Sequence, residues 1–261
     1  MTALGRPRTV AIIPARFASE RLPGKPLAEI HGRPMIVHVM RRVAEATLVD
    51  RVIVATDDSR IAAVVEAHGG TALLTPANLR SGSDRVAYVA RSLEDANIVV
   101  NVQGDEPLIP PGMIDEGIRP LLDDPSIDTA TIVRRIHRVE EFGAPSVTKV
   151  VLDKAGNCLY FSRAPIPFGR DHSPEVLVRD NPVYAHVGLY VFRRQFLILF
   201  SEMEQSPLEK IEKLEQLRIL ENGRKIRAVI TSLESPSVDT LGDLERVREL
   251  FQNQSTPRST E

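Results

Sequence analysis

The chain has 261 residues, 43% apolar and 26% charged, which fits one large α/β domain or two small ones with a core of normal size. Its 33 basic and 35 acidic side chains leave a formal charge of −2, which excludes a global field for nucleic acid or a membrane surface. A single cysteine excludes an intrachain disulfide, and no apolar run approaches the about 18 residues of a membrane span.

Short apolar runs alternate with helical patterns through the first half. Residues 9–13 read as a buried strand, too short for a signal segment because Pro14 ends it. Residues 34–46 read as a helix with Pro34 at its first turn. A strand at 52–55 and a helix at 60–68 follow, with Gly69 as C-cap and Asp58 and Ser59 as N-caps. A helix at 84–90, a strand at 98–102 and a helix at 113–122 complete the pattern. Strand, helix, strand at this spacing predicts a parallel sheet covered on both faces.

The middle changes character. Residues 147–152 and 158–162 around a turn at 153–157 read as a β-hairpin. Cys158 sits beside Leu159, Tyr160 and Phe161, so it reads as a buried strand thiol rather than a nucleophile, and a reducing cytoplasm is the compartment expected. Residues 164–182 are rich in Pro and charge and read as a loop, and 184–192 as another strand. This region is expected to be an excursion from the parallel sheet. Ser206-Pro207-Leu208-Glu209 is a capping box, and its helix is expected to run to about Asn222, where Gly223 stops it. Residues 226–231 read as a strand and 241–251 as a last helix with Thr240 as N-cap. The polar tail at 252–261 is expected to fray.

Ligands of open α/β sheets bind beyond the carboxyl ends of the strands. The loop after the first strand carries Arg16, Arg21 and Lys25 around a Pro23-Gly24 turn, which reads either as a polyphosphate cradle or as a solvated basic loop. Gly24-Lys25 is followed by Pro26, so it is not a Walker A loop. The strand at 98–102 leads into Gln103-Gly104-Asp105-Glu106-Pro107. Gly104 allows close backbone approach, and Asp105 either holds Mg²⁺ with substrate phosphates or caps the turn. Asp239 either joins Asp105 on one metal or favours the dipole of the last helix. Glu215 lies four residues after Ile211 and four before Ile219, and a carboxylate on that apolar stripe needs a ligand or an internal Arg. The six histidines show no metal-ligand spacing, and His186 by itself reads as structural.

In order along the chain, Ile13-Pro14-Ala15-Arg16, Arg21-Leu22-Pro23-Gly24-Lys25-Pro26-Leu27, Val52-Ile53-Val54-Ala55-Thr56-Asp57 and Val100-Asn101-Val102-Gln103-Gly104-Asp105-Glu106-Pro107 resemble the 3-deoxy-manno-octulosonate cytidylyltransferases. So do Lys149-Val150-Val151, Leu159-Tyr160-Phe161-Ser162-Arg163, Ser206-Pro207-Leu208-Glu209, Leu214-Glu215-Gln216-Leu217-Arg218 and Val238-Asp239-Thr240. One such segment is shared by several sugar nucleotidyltransferases; the ordered set is specific.

The resemblance implies a single Rossmann-like α/β nucleotidyltransferase domain, with a mostly parallel sheet, helices on both faces and a β-rich sugar-binding and dimerisation region at 147–192. It implies transfer of CMP from CTP to 3-deoxy-D-manno-octulosonate (Kdo) for lipopolysaccharide biosynthesis, with Mg²⁺ as cofactor and a cytoplasmic homodimer. By position, Ala15, Arg16 and Lys25 lie at the triphosphate and Ser81, Gly82 and Arg85 by the nucleotide. Asp105 and Asp239 hold metal, and Gln103, Arg163, His186, Tyr190, Glu215 and Gln216 line the sugar-acid site. Glu20 departs from the pattern by placing a negative charge near the phosphates, and Val187 and Val191 depart around Gly188-Leu189-Tyr190. The rivals are a cytidylyltransferase for sialic acid or amino-Kdo and a non-catalytic nucleotide-sugar-binding protein.

Overall fold

A computed structural model describes residues 6–18 and 22–255. Glu20 and Arg21, and the end of the polar tail, lie outside the described residues. In chain order the first half contains β1 (Thr9–Ala15), a 3-10 turn (Lys25–Leu27), β2 (Glu29–Ile30), β3 (Arg33–Pro34), α1 (Met35–Ala44), β4 (Arg51–Thr56) and α2 (Ser59–Ala67). Then come β5 (Ala72–Leu74), α3 (Gly82–Arg91), β6 (Ile98–Asn101) and α4 (Pro111–Asp123). The second half contains β7 (Thr129–Arg135), α5 (Val139–Gly143), β8 (Lys149–Leu152), β9 (Cys158–Ser162), α6 (Pro174–Asp180) and β10 (Tyr184–Arg193). It ends with α7 (Arg194–Glu202), α8 (Pro207–Glu212), α9 (Leu217–Glu221), β11 (Arg227–Thr231) and α10 (Leu241–Ser255).

The main sheet runs β11-β7-β10-β6-β1-β4-β5, with β8 paired to β10 and β9 to β8. Strand β1 pairs parallel with both β4 and β6, as apolar runs joined by helices require. Along β1, Val10 and Ile12 face one core while Ala11, Ile13 and Ala15 face the other. Helices α3, α7 and α9 cover the first face, and α1, α2 and α4 the second. Each fully buried Val, Leu or Ile contributes roughly 1.5–3 kcal/mol, so the two-sided pattern specifies a central strand strongly. A smaller cluster of Ile30, Met35, Leu108, Val238, Leu244 and Val247 docks α10 against the β2–β3 hairpin and brings the chain's end back to the sheet's ligand edge.

The local signals act as expected at several ends. Asp58 caps α2 by accepting from the Arg60 amide at 2.9 Å. A cap not expected from the sequence is Ser81, which starts α3 by accepting from the Asp84 amide at 3.1 Å. The Ser206–Glu209 capping box opens α8. Thr240 Oγ1 accepts from the Asp243 amide at the start of α10.

Four expectations need correction. First, the segment at 206–222 is not one helix. It breaks at Lys213, which has φ 55°, so Glu215 does not share a helical face with Ile211, which is exposed. Second, residues 164–182 are not all loop, since Ser173 caps α6 within them. Third, β10 does not leave the sheet: it lies antiparallel between β6 and β7. Fourth, the last helix continues past Phe251 to Ser255, into the expected tail. Strands β5 and β7 and helices α5 and α7 are found only in the structure.

Candidate active site

The carboxyl ends of β1, β4 and β6 open on one edge. Gly24, with φ 71°, takes the left-handed turn that presents Lys25 at this edge. Lys25 Nζ donates to Asp105 Oδ2 at 2.6 Å, to the Val238 carbonyl at 2.8 Å and to Asp239 Oδ1 at 3.3 Å. Two carboxylates from distant parts of the chain thus converge on one cation. Gly104 makes this possible, because a Cβ there would lie 2.8 Å from the Pro14 carbonyl oxygen. The Val238 amide in turn donates to the Asp105 carbonyl at 2.9 Å, and Ser235 Oγ donates to Glu106 Oε2 at 2.7 Å. Burial pushes the Glu106 carboxyl up to about 7, against the pull of the Ser235 hydroxyl and with the help of the Asp105 charge. Among the described residues no group of three or more His, Cys, Asp or Glu side chains forms a closed metal cage.

Beside this corner, Ala15 ends β1 and Arg16 turns its guanidinium to the Leu79 carbonyl. Ser81 and Gly82 form the start of α3, packed near Pro14. Arg85 follows on α3. Its side chain is fully buried, bonded to Thr75 and ion-paired with Asp57 at 3.0 Å. Burial lowers its pKa, and the Asp57 charge opposes that shift. Arg85 therefore braces the floor of the edge.

The other side of the edge is polar and largely buried. Gln103 Nε2 donates to the Gly188 carbonyl at 3.2 Å and to Asn101 Oδ1 at 3.4 Å. Asn101 Nδ2 donates to Ser83 Oγ at 3.1 Å, and Ser83 Oγ donates to Glu215 Oε1. This chain joins Gln103 to Glu215 across the end of β6. Burial raises the Glu215 pKa, with the Ser83 and Ser81 hydroxyls opposing the shift. Gln216 Nε2 and the Tyr190 hydroxyl are buried with no partner among the described residues. Each such orphan costs about 1–3 kcal/mol unless a ligand meets it. His186 packs edge-on to Phe161 and tilted against Tyr190, and burial pushes its imidazole down to about 3. Arg163 donates to the carbonyls of Glu212, Pro145 and Lys213 at 2.8, 3.1 and 3.4 Å, so its fork builds the wall at the break after α8.

Lys25, Asp105 and Asp239 touch directly; Gln103 and Glu215 meet through two bridging residues; His186 and Tyr190 are in ring contact. Four contributors were not singled out from the sequence: Ser83, Asn101, Ser235 and Thr131, whose hydroxyl lies 2.9 Å from His186 Nε2. Asn101 and Thr131 are polar residues at fully buried strand positions, which is the one signal that marks them. Among the described residues no helix is long and apolar enough to cross a membrane.

A family model described as cytidylyltransferase matches residues 10–226. The chain is 54% identical over 248 residues to a 3-deoxy-manno-octulosonate cytidylyltransferase of Pelobacter propionicus, covering 92% of this chain and 96% of that protein. It is 54% identical over 247 residues to the protein of the same name from Geobacter metallireducens, covering 93% and 97%. Among solved structures, a CMP:2-keto-3-deoxy-manno-octonic acid synthetase complexed with CTP superposes with a TM-score of 0.89 at 40% identity, covering 95% of this chain and 99% of that one.

Proposed function

Since the chain belongs to the 3-deoxy-manno-octulosonate cytidylyltransferase family, we propose that the edge built by Lys25, Asp105, Asp239, Gln103 and Glu215 is its catalytic site. The enzyme transfers CMP from CTP to 3-deoxy-manno-octulosonate, giving CMP-Kdo and pyrophosphate. The observation that carries the site assignment is the convergence of Asp105 and Asp239 on the Lys25 ammonium.

The all-oxygen donors of Asp105 and Asp239 suit Mg²⁺, which takes one or two carboxylates and completes its shell with phosphate oxygens and water. Bound there, Mg²⁺ would neutralise phosphate charge and lower the pKa of the attacking hydroxyl. The residues of the chain account for the rest. Arg16 and Lys25 bind the triphosphate and take the charge of the departing pyrophosphate. Gln103, Glu215 and Gln216 hold the sugar acid so that its anomeric hydroxyl meets the α-phosphorus in line. The orphaned Tyr190 hydroxyl and Gln216 amide gain partners when the sugar arrives.

We further propose that the enzyme works in the cytoplasm as a homodimer through 147–192, where Leu159 and Phe168 expose apolar side chains. Pyrophosphate release from CTP, ATP and GTP with Kdo, amino-Kdo and sialic acid tests the substrate reading, and CTP with Kdo is expected to be fastest. Equal rates with all three nucleotides, or no release with any acidic sugar, would overturn it.

A further inference from the structure

His186 and Thr131 stand on neighbouring antiparallel strands where β10 carries a bulge, its register shifting between Val187 and Tyr190. The bulge turns the Leu189 carbonyl onto Thr131 Oγ1 at 2.8 Å, while His186 Nε2 lies 2.9 Å from the same hydroxyl. A threonine hydroxyl has one proton, and a carbonyl oxygen only accepts. The proton of Thr131 therefore goes to Leu189, and the hydroxyl is left as an acceptor toward the imidazole. His186 must then carry its own proton on Nε2 to complete the pair. In a neutral ring the other nitrogen, Nδ1, is left as a bare acceptor.

The ring cannot easily exchange its two nitrogens. Phe161 meets it edge-on at 5.3 Å and Tyr190 packs against it at 5.1 Å. Nδ1 makes no hydrogen bond to any described residue. His186 is only half-buried, while Thr131 beneath it is fully buried. One nitrogen is thus anchored in the sheet and the other is left for whatever occupies the edge.

We infer that Thr131 is a positioning residue that fixes His186 as the Nε2–H tautomer, so that Nδ1 selects among sugar acids by accepting a hydrogen bond from a hydroxyl at one position. This deepens the functional reading above and rests on it for the identity of the ligand. A neutral acceptor repels a carboxylate, so the sugar's acid group is held elsewhere and a hydroxyl faces His186. A sugar without a donor at that position leaves Nδ1 desolvated and unpaired, which is the stronger route to discrimination.

The test has a spectroscopic arm and a kinetic arm. In uniformly ¹⁵N-labelled protein without substrates, protonated and bare ring nitrogens are well separated, and His186 is assigned by comparison with His186→Gln. The wild type should show Nε2 protonated and Nδ1 bare at neutral pH, and Thr131→Ser should keep that pattern. Thr131→Val should give a mixed or reversed pattern. It should raise the KM for Kdo about tenfold, the worth of one hydrogen bond, with the KM for CTP unmoved. A wild-type ring protonated on Nδ1 would overturn the inference whether or not the valine variant folds. An Nε2–H wild type whose Kdo KM is the same in Thr131→Val would overturn the selection role. If the wild type turns over no acidic sugar, the functional reading fails with the selection, and the spectrum alone still decides the tautomer.

Discussion

Ser235 Oγ donates to Glu106 Oε2 at 2.7 Å, and this bond ties the irregular segment leading to Asp239 onto the loop that carries Asp105. The Val238 amide, donating to the Asp105 carbonyl at 2.9 Å, does the same work. Ser235→Ala removes the latch without touching either aspartate. A hydrogen bond of this kind contributes about 1 kcal/mol, so the Mg²⁺ concentration for half-maximal pyrophosphate release is expected to rise about fivefold. The saturated rate should change little. An unshifted Mg²⁺ curve would show that the two loops hold each other without it.

Asp105→Asn and Asp239→Asn keep the size of each side chain and remove its charge. If both hold one ion, each variant loses stabilisation worth roughly several kcal/mol, on the order of two or more decades in rate. The double variant should then be little worse than the poorer single one, because the two act as a unit. Rates near wild type across a Mg²⁺ titration would remove both from the mechanism.

Gly104→Ala places a methyl group 2.8 Å from the Pro14 carbonyl oxygen, which is backbone and cannot rotate away. The strand end must shift, at a cost of about 1–3 kcal/mol, and Asp105 moves with it. Urea unfolding should show the loss in stability, and the Mg²⁺ titration should show a weaker site. A variant with wild-type stability would mean that β1 and the loop after β6 are free to separate.

His186 is held near 3 by burial, against an ordinary value of 6.5. A folded-state pKa below the unfolded one gives stability that is full above 6.5 and is lost as pH falls toward 3, because only the unfolded chain binds the proton in that window. At pH 5 the loss would reach about 2 kcal/mol for a closed site, and about 1 kcal/mol once solvent access at the edge is discounted. Urea unfolding at pH 7 and pH 5 should show the wild type losing about that much more stability than His186→Gln. Equal losses in the two proteins would mean that the imidazole titrates in the fold as it does outside it.

The sequence determined what short-range physics can encode. The apolar runs of β1, β4 and β6, joined by helices, specify parallel strands buried on both faces, and Val10, Ala11, Ile12 and Ile13 are hidden together in this way. The caps at Asp58 and Ser206 follow from the need to satisfy free amides at helix starts. The tertiary structure decided the rest, because it depends on pairings that no local window contains. Lys25 meets Asp239 across 214 residues. Strand β10 finds its place between β6 and β7 only when both are present. The helix at 206–222 is good locally, yet Arg163, the residue after β9, takes the carbonyls of Glu212 and Lys213, which an unbroken helix would have bonded to its own amides. At this break Lys213 lies in the left-handed region, and Glu215, out of the helical register, accepts from Ser83. The identity of these residues is written in the chain, but their meeting exists only after the chain has closed on itself.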